Sequence, residues 1–190
     1  MGLGTKERLI ATAGELFYRD GIVGTGVDAI AAAAEVSKPT LYARFGSKAG
    51  LVAAVLEERA GSRRREVVAY LRGRSGAPRE RMLAAFDWLG AWHAERGGRG
   101  CTFLNAAAEL VAPDDEPARE VVRRYKRWWR TMLSGLAREA GVPERRADEL
   151  ASHLLLLLDG ASARVLVEGD AGAASDARRA AAVLIDAALA

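Results

Sequence analysis

The chain has a single cysteine, Cys101, among 190 residues. An intrachain disulfide is therefore impossible, and a reducing compartment suits the chain. Histidines number two, His93 and His153. Neither stands in a Glu-x-x-His or His-Glu-x-x-His pattern, so the helical di-iron and zinc-hydrolase arrangements are absent. No Walker-type glycine loop and no Gly-x-Ser-x-Gly elbow occurs. The longest leucine run, Leu154 to Leu158, is followed by Asp159 and Arg164 and is too short for a membrane span. The first residues, Met-Gly-Leu-Gly-Thr-Lys-Glu-Arg, reach charge before any apolar stretch, so no signal peptide is read there. These absences leave no catalytic residue, no metal-ligand set and no cofactor to assign. They favour a soluble, cytoplasmic protein that is not an enzyme.

Half of the residues are hydrophobic, enough for a substantial core in one long domain or in a small one and a larger one. Alanine, leucine, arginine and glutamate dominate and β-branched runs are few, so the fold class is all-α. The formal charge is only +3, which by itself does not announce a nucleic-acid partner. The basic excess is local. Arg59, Arg63, Arg64, Arg65, Arg72 and Arg74 form one group, and Arg119, Arg123, Arg124, Lys126, Arg127 and Arg130 another. Most of these read as solvated helix faces.

The most informative stretch is Thr25 to Lys48. Val27, Ile30, Ala31 and Ala34 fall at i, i+3, i+4 and i+7, one apolar helical stripe. Thr25 is placed to cap that helix, with Asp28 reaching back to it. Glu35-Val36-Ser37 is long enough only for a turn. Ser37 then caps a second, short helix with Pro39 in its first turn, where the missing N–H costs nothing. Leu41 and Phe45 give that helix a buried side and leave Lys38, Thr40, Tyr42 and Arg44 on the other. A short helix with donors near its N-terminus, braced by a preceding helix through a tight turn, suits a DNA major groove.

With Gly21-Ile22, Thr25, Ile30-Ala31, Ala34, Val36-Ser37-Lys38, Thr40-Leu41-Tyr42, Phe45, Ser47-Lys48 and Leu51 in fixed spacing, the segment resembles the DNA-binding domain of the tetracycline-repressor (TetR) family. Two positions depart from that pattern. Glu35 stands where glycine is common, at a cost of about 1 kcal/mol if the residue is left-handed. Gly26 stands where a hydroxyl residue is common. The resemblance implies a helix-turn-helix domain over residues 1–47 and a larger helical effector-binding and dimerisation domain over 48–190, about nine helices in all. It implies a homodimer on a palindromic double-stranded operator, most often as a repressor released by a small molecule. Expected DNA contacts are Thr25, Lys38, Pro39, Thr40, Tyr42, Arg44 and Lys48. Tyr42 and Lys48 would hold phosphates, and Arg44 either reads guanine or is solvated.

The remaining chain reads as helices from about Thr5 to Arg19, Lys48 to Gly73, Pro78 onward, Cys101 to Ala112, Pro117 to Ala140, Glu144 to Glu168 and Ser175 to Leu189. A flexible loop is expected over Glu95 to Gly100. Asn105 and Glu109, four apart on an apolar helix, either satisfy neighbouring backbone or line a pocket. Trp88, Trp92, Phe103, Asn105, Glu109, Tyr125, Trp128, Trp129 and Met132 are the candidate effector residues, as an aromatic pocket for a small apolar, planar or cationic molecule. Each aromatic taken singly reads as ordinary core. The eighth helix is apolar almost all round, and such a helix is buried on every side. A dimer covers it, with Leu155, Leu158, Ser162, Val165, Ala181, Leu184 and Ala188 as the expected interface. Two alternatives keep DNA binding: regulation without a small-molecule effector, or a redox response through Cys101.

Overall fold

The structure is a computed structural model that describes residues 4–74, 76–96 and 98–190. Gly97 of the expected loop and the first three residues of the amino-terminal reading lie outside these. Among the described residues there are nine α-helices and no strand. They are α1 (Thr5–Asp20), α2 (Val27–Ala33), α3 (Lys38–Phe45), α4 (Lys48–Arg72), α5 (Pro78–Arg96), α6 (Thr102–Glu109), α7 (Glu116–Glu139), α8 (Glu144–Glu168) and α9 (Ala173–Leu189). A single 3-10 turn, Pro113–Asp115, precedes α7.

The chain divides into two compact units. The first comprises Met1–Arg63 and Thr102–Arg124, and the second Arg64–Cys101 and Tyr125–Ala190. The first thus holds α1 to α3, most of α4, all of α6 and the opening turns of α7.

In the first unit, Leu9, Ala13 and Phe17 of α1, Ile30 of α2, Leu41 of α3 and Leu51, Val52 and Leu56 of α4 are buried. Glycine lets α1 and α4 approach: a Cβ on Gly14 would lie 3.1 Å from Arg59 Nη2. That guanidinium lies over the Tyr18 ring and pairs with Glu15 at 3.1 Å. α6 is shorter than the sequence suggests. Ala112 precedes Pro113 and is extended (φ −75°, ψ 154°), as a residue before proline prefers. The Leu110 and Ala112 carbonyls accept from Arg119 Nη1 at 3.1 and 2.8 Å. Asp115 Oδ2 accepts from Ala112 N at 2.9 Å and closes this corner.

In the second unit, α9 packs against α8 and α5. Ala173, Ala174, Ala177, Ala181 and Ile185 form its buried stripe. Arg79 of α5 grips the Asp186 carboxylate of α9 at 2.6 and 2.9 Å, and Arg178 of α9 pairs with Asp87 of α5 at 2.9 Å. The α8–α9 corner turns on Gly169 (φ 67°), and Arg164 ties it through Glu168, Asp170 and Asp176.

In the single chain, α8 and α9 divide their apolar residues between a buried and an accessible stripe. By length and composition alone, Glu144–Glu168 could cross a membrane; in the fold it buries one stripe that includes Leu150, Leu154, Leu155, Leu158 and Val165. Within one chain it is not covered on every side, as the expectation of a covering partner requires: Leu156 is 68% exposed and Val167 80%. Leu155, Leu158, Ser162, Val165 and Ala181 of the expected interface are buried within the chain itself. Of that set only Leu184 and Ala188 stay accessible. The accessible apolar stripe is Leu156, Gly160, Ala163 and Val167 on α8, with Ala180, Val183 and Leu184 on α9.

Candidate nucleic-acid interface and effector site

Local chemistry builds α3. Ser37 Oγ accepts from Thr40 N at 3.2 Å and caps the helix, with proline in the first turn. Leu41 is fully buried and anchors one side. Phe45 is half-buried. The opposite side presents Lys38, Pro39, Tyr42 and Arg44 to solvent. Thr40 is half-buried and its hydroxyl meets that of Ser37 at 2.7 Å. Ser47 Oγ accepts from Gly50 N at 3.0 Å, which caps α4 and puts Lys48 at its first position. That helix start favours an anion through its free N–H groups and dipole.

The α2–α3 turn is a Schellman arrangement. Val36 N donates to Ala31 O at 3.0 Å and Glu35 N to Ala32 O at 3.1 Å. Glu35 sits at φ 53°, and it is the one non-glycine residue with positive φ among the described residues.

Charge on this face is partly committed. Lys38 Nζ pairs with the Asp28 carboxylate at 2.9 Å, and the hydrogen bond to Asp28 raises the lysine pKa above its ordinary value. Arg44 and Lys48 carry no ion pair among the described residues.

Thr25 takes a different place from the one expected. It is only 3% exposed and its Oγ1 donates to Gly21 O at 2.6 Å, so it closes the α1–α2 turn. The N-cap of α2 is Gly26, without a side-chain cap. The hydroxyl that the sequence lends to helix capping and to DNA is turned into the loop.

Several cations of the second run are paired with carboxylates. Arg119 and Arg123 converge on Glu116, and Arg123 also on Glu120. Hydrogen bonds from Arg123 and Arg119 hold the Glu116 carboxyl below its ordinary range. Arg124 pairs with Glu57, and Lys126 with Asp159. These groups therefore offer little net field for DNA.

The candidate effector residues are shared between the two units. Phe103, Asn105 and Glu109 belong to the first, and the other six to the second. In the second, five rings form a continuous ladder. Trp92 stacks on Trp88 at 6.5 Å, and Trp88 meets Trp129 at 5.8 Å. Trp129 meets Trp128 edge-on at 5.3 Å, and Trp128 stacks on Tyr125 at 6.1 Å. The Arg64 guanidinium lies 5.8 Å from the Trp128 centroid. Trp88, Trp92, Tyr125 and Trp129 are buried, and Trp128 and Met132 half-buried. Phe103 is buried in the first unit, where Asn105 and Glu109 are half-buried.

Glu109 answers the question the sequence left open for it. Its Oε2 accepts from the backbone N–H of Val23 at 2.7 Å, so it satisfies neighbouring backbone. Sequence reasoning missed this bond and the Asp28–Lys38 pair. Cys101 is half-buried, with Lys126 Nζ 4.0 Å from its sulfur.

Similarity to known proteins covers two successive stretches of the chain. Residues 9–55 match the family described as bacterial regulatory proteins, tetR family. Residues 78–185 match the C-terminal domain described as transcriptional regulator LmrA/YxaF-like. The HTH-type transcriptional repressor SCO4008 of Streptomyces coelicolor is 44% identical over 55 residues, which span 29% of this chain and 29% of that protein. The chain therefore aligns with under a third of that curated relative. Among solved structures, SCO4454, a TetR-family transcriptional regulator from Streptomyces coelicolor, superposes with a TM-score of 0.87 at 28% identity, covering 98% of this chain and 96% of that one. A protein described as a TetR transcriptional regulator (sav143) from Streptomyces avermitilis gives 0.84 at 34% identity, covering 98% of both chains. With matches over both its amino-terminal helices and more than half of its length beyond them, the chain belongs to the TetR family of transcriptional regulators.

Proposed function

We propose that the chain is a cytoplasmic repressor that binds a palindromic operator as a homodimer and is released by a small apolar or aromatic molecule. The observation that carries the reading is α3. It buries Leu41 and turns Lys38, Pro39, Tyr42 and Arg44 outward, with Lys48 at the next helix start. Tyr42 and Lys48 fix register on phosphates, while Lys38, Pro39, Thr40 and Arg44 lie near base edges. Residues 1–47 act as the DNA reader and 48–190 as the effector-binding and dimerisation part.

One short helix reads few base pairs. Two, related by a two-fold axis, read half-sites about 34–36 Å apart. The accessible stripe of Leu156, Gly160, Ala163 and Val167 with Ala180, Val183 and Leu184 supplies the dimer contact. Its small residues allow close helix approach. The aromatic ladder from Trp92 to Tyr125 is the effector site. Arg64 over Trp128 already supplies a cation there, and Glu109 is engaged elsewhere, so a planar ligand with an electron-rich or anionic edge fits better than a cation.

Selection of bound sequences from random DNA tests the reading, with the double variant Tyr42→Ala, Lys48→Ala as control. A palindrome enriched by the wild type and lost in the control supports it, and weakening by salt accords with phosphate contacts. A folded dimer that enriches nothing refutes sequence reading. Thermal shifts against planar aromatic compounds then test the effector; no response across a broad panel favours a regulator without one.

A further inference from the structure

Glu109 closes α6 and reaches across 86 positions of sequence to the turn between α1 and α2. That turn is held in three ways. Gly21 N donates to Phe17 O at 3.1 Å, Thr25 Oγ1 donates to Gly21 O at 2.6 Å, and Val23 N donates to Glu109 Oε2 at 2.7 Å. The first two bonds stay inside the helix-turn-helix region. The third ties it to α6. The Val23 side chain is 72% exposed, so its own burial does not hold the backbone there.

The approach is built on both sides. Gly21 has φ +84°, and a Cβ added to it would lie 3.0 and 3.3 Å from the two Glu109 carboxylate oxygens. Glycine is needed at that position for its dihedral and for the space. On the other side, Arg119 holds the chain just after Glu109 through the Leu110 and Ala112 carbonyls, while pairing with Glu116. The carboxylate is thus carried on a fixed helix end. A backbone N–H bonded to an ionised carboxylate makes a stronger bond than a neutral pair.

We propose that Glu109 is a positioning residue for operator binding. It touches no DNA. By fixing the α1–α2 turn it sets the attitude of α2, and through the strained α2–α3 turn the attitude of the recognition helix. The proposal rests on the DNA-reading function above, and its test separates the two.

The test compares wild type, Glu109→Ala and Glu109→Gln on the sequence that the wild type selects, by fluorescence anisotropy over a salt series, with amide hydrogen exchange across Gly21–Thr25. Glu109→Ala should bind about tenfold or more weakly, as expected for losing a bond to a charged acceptor. Its salt slope should stay unchanged, because no phosphate contact is lost. Glu109→Gln keeps an amide oxygen for Val23 N and should recover to within about threefold of wild type. The Val23 amide should exchange at least about tenfold faster in the alanine variant. Wild-type affinity in Glu109→Ala, an altered salt slope, or unchanged exchange at Val23 overturns the proposal. If the wild type selects no sequence, the regulator reading falls and the DNA half of this proposal with it; the exchange measurement still decides whether Glu109 anchors the turn. Should Glu109→Ala not fold, Glu109→Leu, which keeps bulk at the helix end but offers Val23 N no acceptor, takes its place, and wild-type affinity and exchange in it overturn the proposal.

Discussion

Replacing Glu35 by glycine should make the chain more stable. The residue occupies the left-handed position of the Schellman turn that joins α2 to α3. An L-residue held there costs about 1–2 kcal/mol relative to its relaxed backbone. Glycine removes that cost but raises the entropy of the unfolded chain, which takes back about 0.4–1 kcal/mol. The Glu35 side chain is exposed, so its loss contributes within about 0.5 kcal/mol. The net gain is about 0.5–1 kcal/mol, which for a chain of this size raises Tm by about 1–4 °C. Glu35→Ala is the control, since it removes the side chain and keeps the Cβ. Urea unfolding at one fixed protein concentration should show a higher midpoint for Glu35→Gly with an unchanged slope. Glu35→Asn should fall between glycine and alanine, because asparagine tolerates this region better than most residues. A glycine variant no more stable than the alanine variant would refute the strain argument and place the cost of the turn elsewhere.

Three further outcomes follow from the same structure. Asp28→Asn should tighten DNA binding by up to about fivefold, because it frees Lys38 from an exposed ion pair whose own strength is small; weaker binding in titrations would mean that Asp28 orders the lysine rather than competing for it. Leu156→Glu combined with Val183→Glu should convert a dimer to monomers in light scattering, with dimer dissociation raised by about a hundredfold or more for each unpaired buried charge; a retained dimer would move the partner surface off this stripe. The Arg79–Asp186 pair should give an acid-sensitive contribution, since the hydrogen bond from Arg79 lowers the Asp186 pKa below its ordinary 3.8. A carboxylate depressed in the folded state stabilises above its unfolded pKa and loses that stabilisation as pH falls through the folded value. Asp186→Asn should therefore be less stable than wild type near neutrality and converge with it below about pH 4 in pH-dependent unfolding; a difference that persists in acid would point to packing instead.

What the sequence disclosed was local, and what it withheld was not. Ser37, Pro39 and Leu41 act within one turn of each other, so their pattern alone places the recognition helix, its cap and its outward face. The left-handed Glu35 was legible only through the resemblance, which has glycine at that place in the turn. Trp88 and Trp92 stand four apart and Trp128 and Trp129 are adjacent, so each pair meets within its own helix, but the contact between Trp88 and Trp129 that joins them depends on how two distant helices meet. The interface residues show the limit most sharply. Hydrophobicity tells which residues of α8 leave water, not which neighbour receives them. α9 packs on α8, Leu155, Leu158 and Val165 lie inside the chain, and the outward stripe passes to Leu156, Gly160 and Ala163. Thr25 departs from its expected cap for the same reason at smaller scale, and the same reason left the role of Glu109 open. A threonine before a helix and a glutamate on an apolar one each have a common local use. Here a backbone carbonyl four residues away takes the one, and an amide 86 residues away takes the other. A polar side chain in an all-helical chain is claimed first by the unsatisfied backbone of turns, because buried or half-buried carbonyl and amide groups are costly to leave unpaired. The residues of α3 that no turn claims, Tyr42 and Arg44 with Lys48 beside them, are for that reason left accessible for the proposed DNA contact.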